Sequence, residues 1–290
     1  MNQTDSKLYA NDEWTEVINP QKSWFDLRLK ELWQYRDLVI LFVRRDFVAI
    51  YKQTILGPIW HIIQPLLTTL TFTIVFGQIA GISTDGQPQF LFYMAGVTVW
   101  SYFASCLTKT SSVFTSNADM FGKVYFPRLT VPVATVISAL IAFGIQLFLF
   151  LMVYAGFFIM GTSLKPTLWL LAIPYFIVVM AIFGLGMGIV ISSLTTKYKD
   201  LVHLVNFGVQ LFMYATPVIY PLSAIHSERA QFYLSLNPLA PLIEGFRYAF
   251  FGSGVFTGGM LLNSTLVSLV IFLIGLGLFH RVEKSFMDTV

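Results

Sequence analysis

From the N-terminus onward, long charge-free stretches alternate with short charged ones. Six uncharged gaps separate successive Asp, Glu, Lys and Arg residues, at 53–84, 86–108, 129–164, 166–196, 201–227 and 248–280. Each is longer than the roughly 20 apolar residues a helix needs to cross the hydrocarbon core of a bilayer. A charge at the bilayer centre costs several kcal/mol, so gaps of this length are what insertion demands. The pattern predicts an all-α integral membrane protein with six transmembrane helices, near 56–80, 90–108, 131–161, 167–194, 200–220 and 260–280.

The segments around these gaps have patterns of their own. Residues 1–22 are polar and read as a cytoplasmic N-terminal tail. Over 23–55 the period becomes helical, with Asp37, Arg44, Arg45 and Lys52 on one arc and Leu38, Val39, Phe42, Val43, Phe47 and Ile50 on the other. Arg36 and Asp46 interrupt the two arcs. A basic amphipathic helix beside a first span reads as lying in the cytoplasmic membrane interface. A solvated helix is the plainer alternative, and the wide, aromatic apolar face disfavours it. The membrane domain then runs over 56–290, and Pro65 inside its first span is expected to kink that helix. A polar connector near 111–130 carries Asn117, Asp119, Lys123 and Arg128; it is either a solvated link or a surface for a soluble partner. Near 223–256 the chain is apolar but broken by prolines, glycines and charges, so neither half makes a full span. Two short re-entrant segments dipping in from the outside fit this stretch. Within it Glu244 and Arg247 lie three residues apart, where a local ion pair lowers the cost of carrying both charges.

Composition sharpens the class. The chain is 56% hydrophobic and 11% charged, whereas a soluble domain carries about 25% charged residues. In the six-span layout the inner segments hold fifteen Lys and Arg residues and the outer segments only Lys165, Arg229 and Arg247. That asymmetry places both termini in the cytoplasm. The net charge of +3 reports the same bias and implies no nucleic-acid partner. The single cysteine, Cys106, forms no internal disulfide. The four histidines are scattered, and the sequence has no Walker A motif, metal-ligand cluster or catalytic triad. The spans are nearly free of acids, which leaves few carriers for proton or sodium coupling. Uphill transport by this chain would therefore draw its energy from another chain. Aromatic residues are abundant: 28 Phe, 13 Tyr and 6 Trp. Such rings stack on the apolar faces of sugars, but they also pack in cores and anchor helices at lipid interfaces.

Three stretches carry a family resemblance. They are Leu41 to Gln64 (LFVRRDFVAIYKQTILGPIWHIIQ), Met120 to Val133 (MFGKVYFPRLTVPV) and Asn237 to Arg247 (NPLAPLIEGFR). With the six-span layout they resemble the permease subunits of polysaccharide-exporting ABC transporters, the type-2 exporters of O-antigen, teichoic acid and capsule. The resemblance implies a homodimer bound to two cytoplasmic ATPase subunits in the bacterial inner membrane. ATP and Mg would sit on those partners, with no cofactor and no catalytic residue on this chain. It implies that Leu32 to Ile50 is the family's interface helix, that Asn117 to Arg128 is its coupling helix, and that Ser223 to Phe256 is its re-entrant pair. The cargo would be a lipid-linked glycan of the undecaprenyl-pyrophosphate type, O-antigen first among candidates, moving through a conduit at the dimer interface. The first and fifth spans would form most of that conduit, with Phe72, Phe76, Tyr93, Trp100, Tyr102 and Tyr214 as candidate lining. Arg44, Arg45 and Lys52 stand where a pyrophosphate head would first meet the protein; contact with anionic membrane lipids or with the ATPase explains them equally well. A drug or lipid exporter of the same fold is the runner-up. An ion channel or a stand-alone membrane enzyme is the alternative from another class.

Overall fold

The computed structural model describes residues 29–52, 57–124, 126–195, 198, 200–225 and 227–286. The tail over 1–22, and both ends of the predicted 23–55 helix, lie outside them. Among the described residues the protein is helical throughout, with no strand. Two helices come first, α1 (Leu29–Gln34) and α2 (Arg36–Tyr51). The first long helix, α3 (Trp60–Phe72), continues as a π-helical segment over Thr73–Ile79. Then follow α4 (Gln89–Ser111), the short α5 (Val113–Ser116) and α6 (Ala118–Phe121), and α7 (Thr130–Ile159). The second half holds α8 (Ile173–Thr195), α9 (Leu201–Tyr214), α10 (Glu228–Ser235), α11 (Leu239–Phe251) and α12 (Gly258–Phe286).

Among the described residues five helices are long and apolar enough to cross a membrane: Trp60–Ile79, Gln89–Ser111, Thr130–Ile159, Leu168–Thr195 and Gly258–Arg281. They occupy five of the six charge-free gaps. The fifth gap behaves differently. Its helix, α9, has only 14 residues, about 21 Å at 1.5 Å per residue against a core of roughly 30 Å. Pro217 follows closely; it has no N–H to donate and disfavours helical backbone in the residue before it, so the helix ends at Tyr214 and the chain turns over 215–218. A charge-free gap guarantees cheap insertion but says nothing about helix continuity.

The core is built around α4, which packs against α3, α7, α8, α9 and α11. Every residue from Leu91 to Trp100 is buried. A helix that is apolar on all sides belongs inside a bundle. Small residues let α8 approach both of its main neighbours. A Cβ on Gly184 would lie 2.8 Å from the Cβ of Cys106, and one on Gly188 would lie 2.5 Å from the Cβ of Thr110, both on α4. Gly186 faces the other way, where a Cβ would come within 2.7 Å of the Phe272 Cα on α12. Backbone contact of this kind is how membrane helices associate without a hydrophobic driving force.

The connections gather at two ends. At one, Gln87 donates to Ser253, Thr167 N–H to Ala249 O and Tyr154 OH to Phe250 O. At the other, Thr195 Oγ1 donates to Ser111 O at 2.8 Å and the Phe114 and Phe279 rings stack at 4.9 Å. These are called the outer and inner ends, following the Lys and Arg distribution.

Candidate functional site

At the inner end the chain leaves α4 and makes two one-turn helices before α7 begins. Asn117 separates them with φ −120° and ψ 19°, outside helical values. Its side chain donates back to Val113 O at 3.0 Å, so it closes the turn. Asp119 and Lys123 point outward, and Val124 beside them is 59% exposed. Arg128 is buried, its guanidinium 5.8 Å from the centre of the Phe121 ring. Of the four polar residues singled out in this connector, two therefore face solvent and two hold its shape.

The connector is tied to α2 by rings. Phe42 meets Phe126 at 5.7 Å, Phe126 meets Phe121 at 5.7 Å, and Phe121 meets Phe114 at 5.8 Å. The stack of Phe114 on Phe279 carries the chain of contacts on to α12. Val39 and Phe42 on α2 are buried, and Asp46 lies on the same side. Asp46, which looked out of place in the sequence, accepts from Arg45 at 2.8 Å and from Ser138 on α7 at 3.4 Å. Arg45 also lies over the Phe42 ring at 4.9 Å. Arg44 and Lys52 are exposed, beside Ile40, Leu41, Phe47 and Val48. The apolar residues of α2 thus divide between a face on the protein and a mixed apolar and basic face pointing away from it. Mixed faces suit a membrane interface.

The candidate conduit rings separate into two groups. Tyr93, Trp100 and Tyr102 are buried inside the protomer, as is Phe72. Trp100 packs on Phe103 and Phe212 at 5.4 and 5.9 Å, Tyr102 on Phe143 at 5.1 Å, and Tyr93 on Phe72 at 6.3 Å. Their burial within one protomer is at odds with the reading of these four as a wall: Tyr93, Trp100 and Tyr102 lie on α4, the centre of the bundle, and Phe72 on α3 faces it. Phe76 is half-buried and Tyr214 is 52% exposed. Open apolar surface is present on α3, at Leu67 and Leu70, on the π-helical segment, at Ile74 and Val75, and on α9, at Leu204, Phe207, Leu211 and Tyr214, as it is on α7 and α12. Both α3 and α9 pack against α4.

Among the described residues a dense polar arrangement lies at the outer end, around the stretch 215–223 that follows α9 and runs into a 3-10 turn over Leu222–Ala224. Buried backbone N–H and C=O groups outside a helix need partners, and side chains supply them here. Arg247 on α11, fully buried, donates through Nη1 to Pro217 O at 2.7 Å and through Nη2 to Val218 O. Its Cζ lies 3.7 Å from the centre of the Phe92 ring. Glu244, also buried, accepts from Leu222 N–H at 3.0 Å, and its carboxylate is 3.6 Å from Arg247. The two charges are neighbours, yet each spends its hydrogen bonds on backbone. Ser223 donates to Asp85, which holds the left-handed backbone with φ 53° in the loop after α3. Asn237 donates to Thr216 Oγ1 at 2.9 Å. Gly96 on α4 completes the box, since a Cβ there would lie 2.5 Å from Arg247 Nη2 and 2.8 Å from Val218 O. The i,i+3 spacing of Glu244 and Arg247 was visible in the sequence. Their carbonyl and amide partners left no signal there, because any residue supplies those groups.

Among the described residues no three His, Cys, Asp or Glu side chains converge as metal ligands. Residues 37–251 match the ABC-2 type transporter family. The chain is 27% identical over 263 residues to the O-antigen export system permease protein RfbA of Myxococcus xanthus, covering 90% of this chain and 98% of that one. It is 28% identical over 254 residues to a Klebsiella pneumoniae protein of the same name, covering 87% and 94%. It is 24% identical over 275 residues to the capsule polysaccharide export inner-membrane protein CtrC of Neisseria meningitidis serogroup A, covering 89% and 95%.

Proposed function

Because the chain belongs to the ABC-2 type transporter family, whose permeases are transport subunits without a catalytic domain, we propose that it is the membrane-spanning half of an ATP-driven exporter of lipid-linked polysaccharide. The observation that carries this reading is the end-to-end likeness to O-antigen export permeases, over 90% of this chain and 98% of the Myxococcus protein. O-antigen is the first candidate cargo. A capsular polysaccharide is the second, favoured by the likeness to the Neisseria capsule export protein. The likeness to that inner-membrane protein supports the same location for this one.

In this reading α9 is the remaining crossing, completing six with both termini cytoplasmic. Its shortness is offset by the structured stretch 215–223 beyond it. α10 and α11 form the re-entrant outer pair. Two copies of the chain meet along the open faces of α3 and α9, and the glycan passes between them. Phe207 and Tyr214 are the rings there best placed for it to slide over, with neither a strong charge nor a metal to trap it. A separate ATPase pair, holding ATP and Mg, seats on the connector between α4 and α7, where Asp119 and Lys123 face outward. Closure of the ATPases displaces α5 and α6, and the ring contacts pass that displacement to α2 and α12.

The test is co-purification with the ATPase in nanodiscs, followed by ATP-dependent export of a radiolabelled lipid-linked glycan from proteoliposomes. A two-plus-two complex that exports glycan is expected. If no ATPase binds and the chain is stable alone, the reading is wrong.

A further inference from the structure

The outer end holds an arrangement that transport by itself does not require. The stretch 216–223 is non-helical backbone running into a 3-10 turn over Leu222–Ala224, and five side chains from other elements hold it, Gln231 on α10 donating to Leu222 O at 3.3 Å. Arg247 takes the Pro217 and Val218 carbonyls, Glu244 the Leu222 N–H, Asn237 the Thr216 hydroxyl and Asp85 the Ser223 hydroxyl. Arg247 is the hub. Its guanidinium is enclosed by two carbonyls, a carboxylate 3.6 Å away, the face of Phe92 at 3.7 Å and the bare backbone of Gly96.

We propose that Arg247 is a positioning residue that welds the outer end of α9 to α11, so that the two move as one body when the exporter cycles. The argument is the cost of breaking the joint. Opening it strands a buried guanidinium and two buried carbonyls together, with no solvent to replace what each loses. A contact meant to open and close in every cycle would be solvated on one side or held by a single bond. This one is closed on all sides, and Gly96 leaves no room for the side chain to swing toward α4. Movement of the open face of α9, with Phe207 and Tyr214 on it, must then carry the outer re-entrant helix along. A shift that widens the wall would also lift the outer cover.

The proposal rests on the transport reading for its purpose but not for its test. Amide hydrogen exchange over 211–223 would be followed in the complex with its ATPase, in nanodiscs, without nucleotide and trapped with ATP and vanadate. Tyr214→Cys serves as a second reporter, read by its rate of maleimide labelling; Cys106 is buried and stays silent. In the wild type, protection over 216–223 is expected to be the same in both states to within about twofold. In the double variant Glu244→Met/Arg247→Met, which leaves no buried charge behind, the same amides should exchange about tenfold faster and the reporter should label about tenfold faster. Amides of α8 and α12 should keep their wild-type rates. Arg247→Lys, which keeps the charge and one carbonyl bond, should fall between, and it carries the measurement if the double variant does not assemble. Loss of protection over 216–223 in the trapped wild type would overturn the weld, as would wild-type protection in the variants. The nucleotide-free comparison needs no export, so a failure to export glycan would count against the transport reading and leave this result standing.

Discussion

Ring contacts and hydrogen bonds occur at both ends of the bundle, but the balance between them differs. At the outer end charged and polar side chains satisfy named backbone groups, each bond directional and each partner fixed. At the inner end Phe42, Phe126, Phe121, Phe114 and Phe279 touch through ring faces and edges, and Arg45 and Arg128 lie over rings. A buried hydrogen bond loses most of its value on a displacement of an ångström. Ring contacts are broad, and tilted and stacked arrangements have similar energies. The outer end therefore resists deformation, and the inner end tolerates it. That division suits a machine pushed from the inside, in which the pushed end must yield and the far end must follow without coming apart.

The largest effect should come from breaking the outer end. Arg247→Met leaves Glu244 buried beside two bare carbonyls, and should destabilise the protein by about 3–5 kcal/mol, read from thermal unfolding in detergent. Removing both charges with Glu244→Met/Arg247→Met should recover a large part of that loss, because the stranded carboxylate is gone. If the single variant is no worse than the double, the joint is not held by its charges and the contrast between the ends fails.

The inner end should give way more gently. Phe114 is fully buried and stacked on Phe279, so Phe114→Leu removes ring contact but keeps most of the volume. A loss of about 1–1.5 kcal/mol is expected. A loss equal to that of Arg247→Met would mean that the rings interlock as tightly as the outer hydrogen bonds. Asp46→Asn should cost less again. Arg45 and Asp46 are 45% and 27% exposed, and solvent screens a pair so placed to under about 1 kcal/mol. The same thermal measurement, at low and high salt, should show that small difference shrinking as salt rises.

The legibility of these two ends in the sequence differed for the same physical reasons. Charge-free gaps located five long helices to within a few residues, because the cost of burying a charge acts on every residue of a span. Pro217 shortened the helix of the fifth gap, a local steric effect that a count of charges does not register. Gly184 and Gly188, four residues apart, both pack against α4, while Gly186 between them serves a different neighbour, and a single spacing rule does not separate the two. The rings of α4 could not be sorted from sequence, since lipid, conduit and protein core all accept Tyr and Trp. Asp46 read as a flaw in an amphipathic face because its partner Ser138 lies 92 residues away. Arg247 read as half of an ion pair, and its main partners proved to be carbonyl groups that no sequence pattern marks.

The smallest effect on stability is expected at Lys123, and it tests where the inner end meets its partner. Lys123 is exposed on the connector after α6, so Lys123→Glu should leave thermal unfolding unchanged to within about 0.5 kcal/mol. Its effect belongs to association instead. Reversing a charge at the rim of an interface chiefly alters encounter and salt dependence. The ATPase should bind the variant several-fold more weakly at low salt, with the difference largely gone near 0.5 M, where charges are screened within about 4 Å. Asp119, on the same surface, supplies the control: Asp119→Lys should act through the same screening with its own sign. Weakening that persists at high salt in both variants would mean that packing, not charge, seats the partner, and Val124, 59% exposed beside them, would become the residue to change next. No effect at any salt would move the ATPase contact off this connector and onto the exposed face of α2, leaving the ring contacts to stabilise the inner end without transmitting a push.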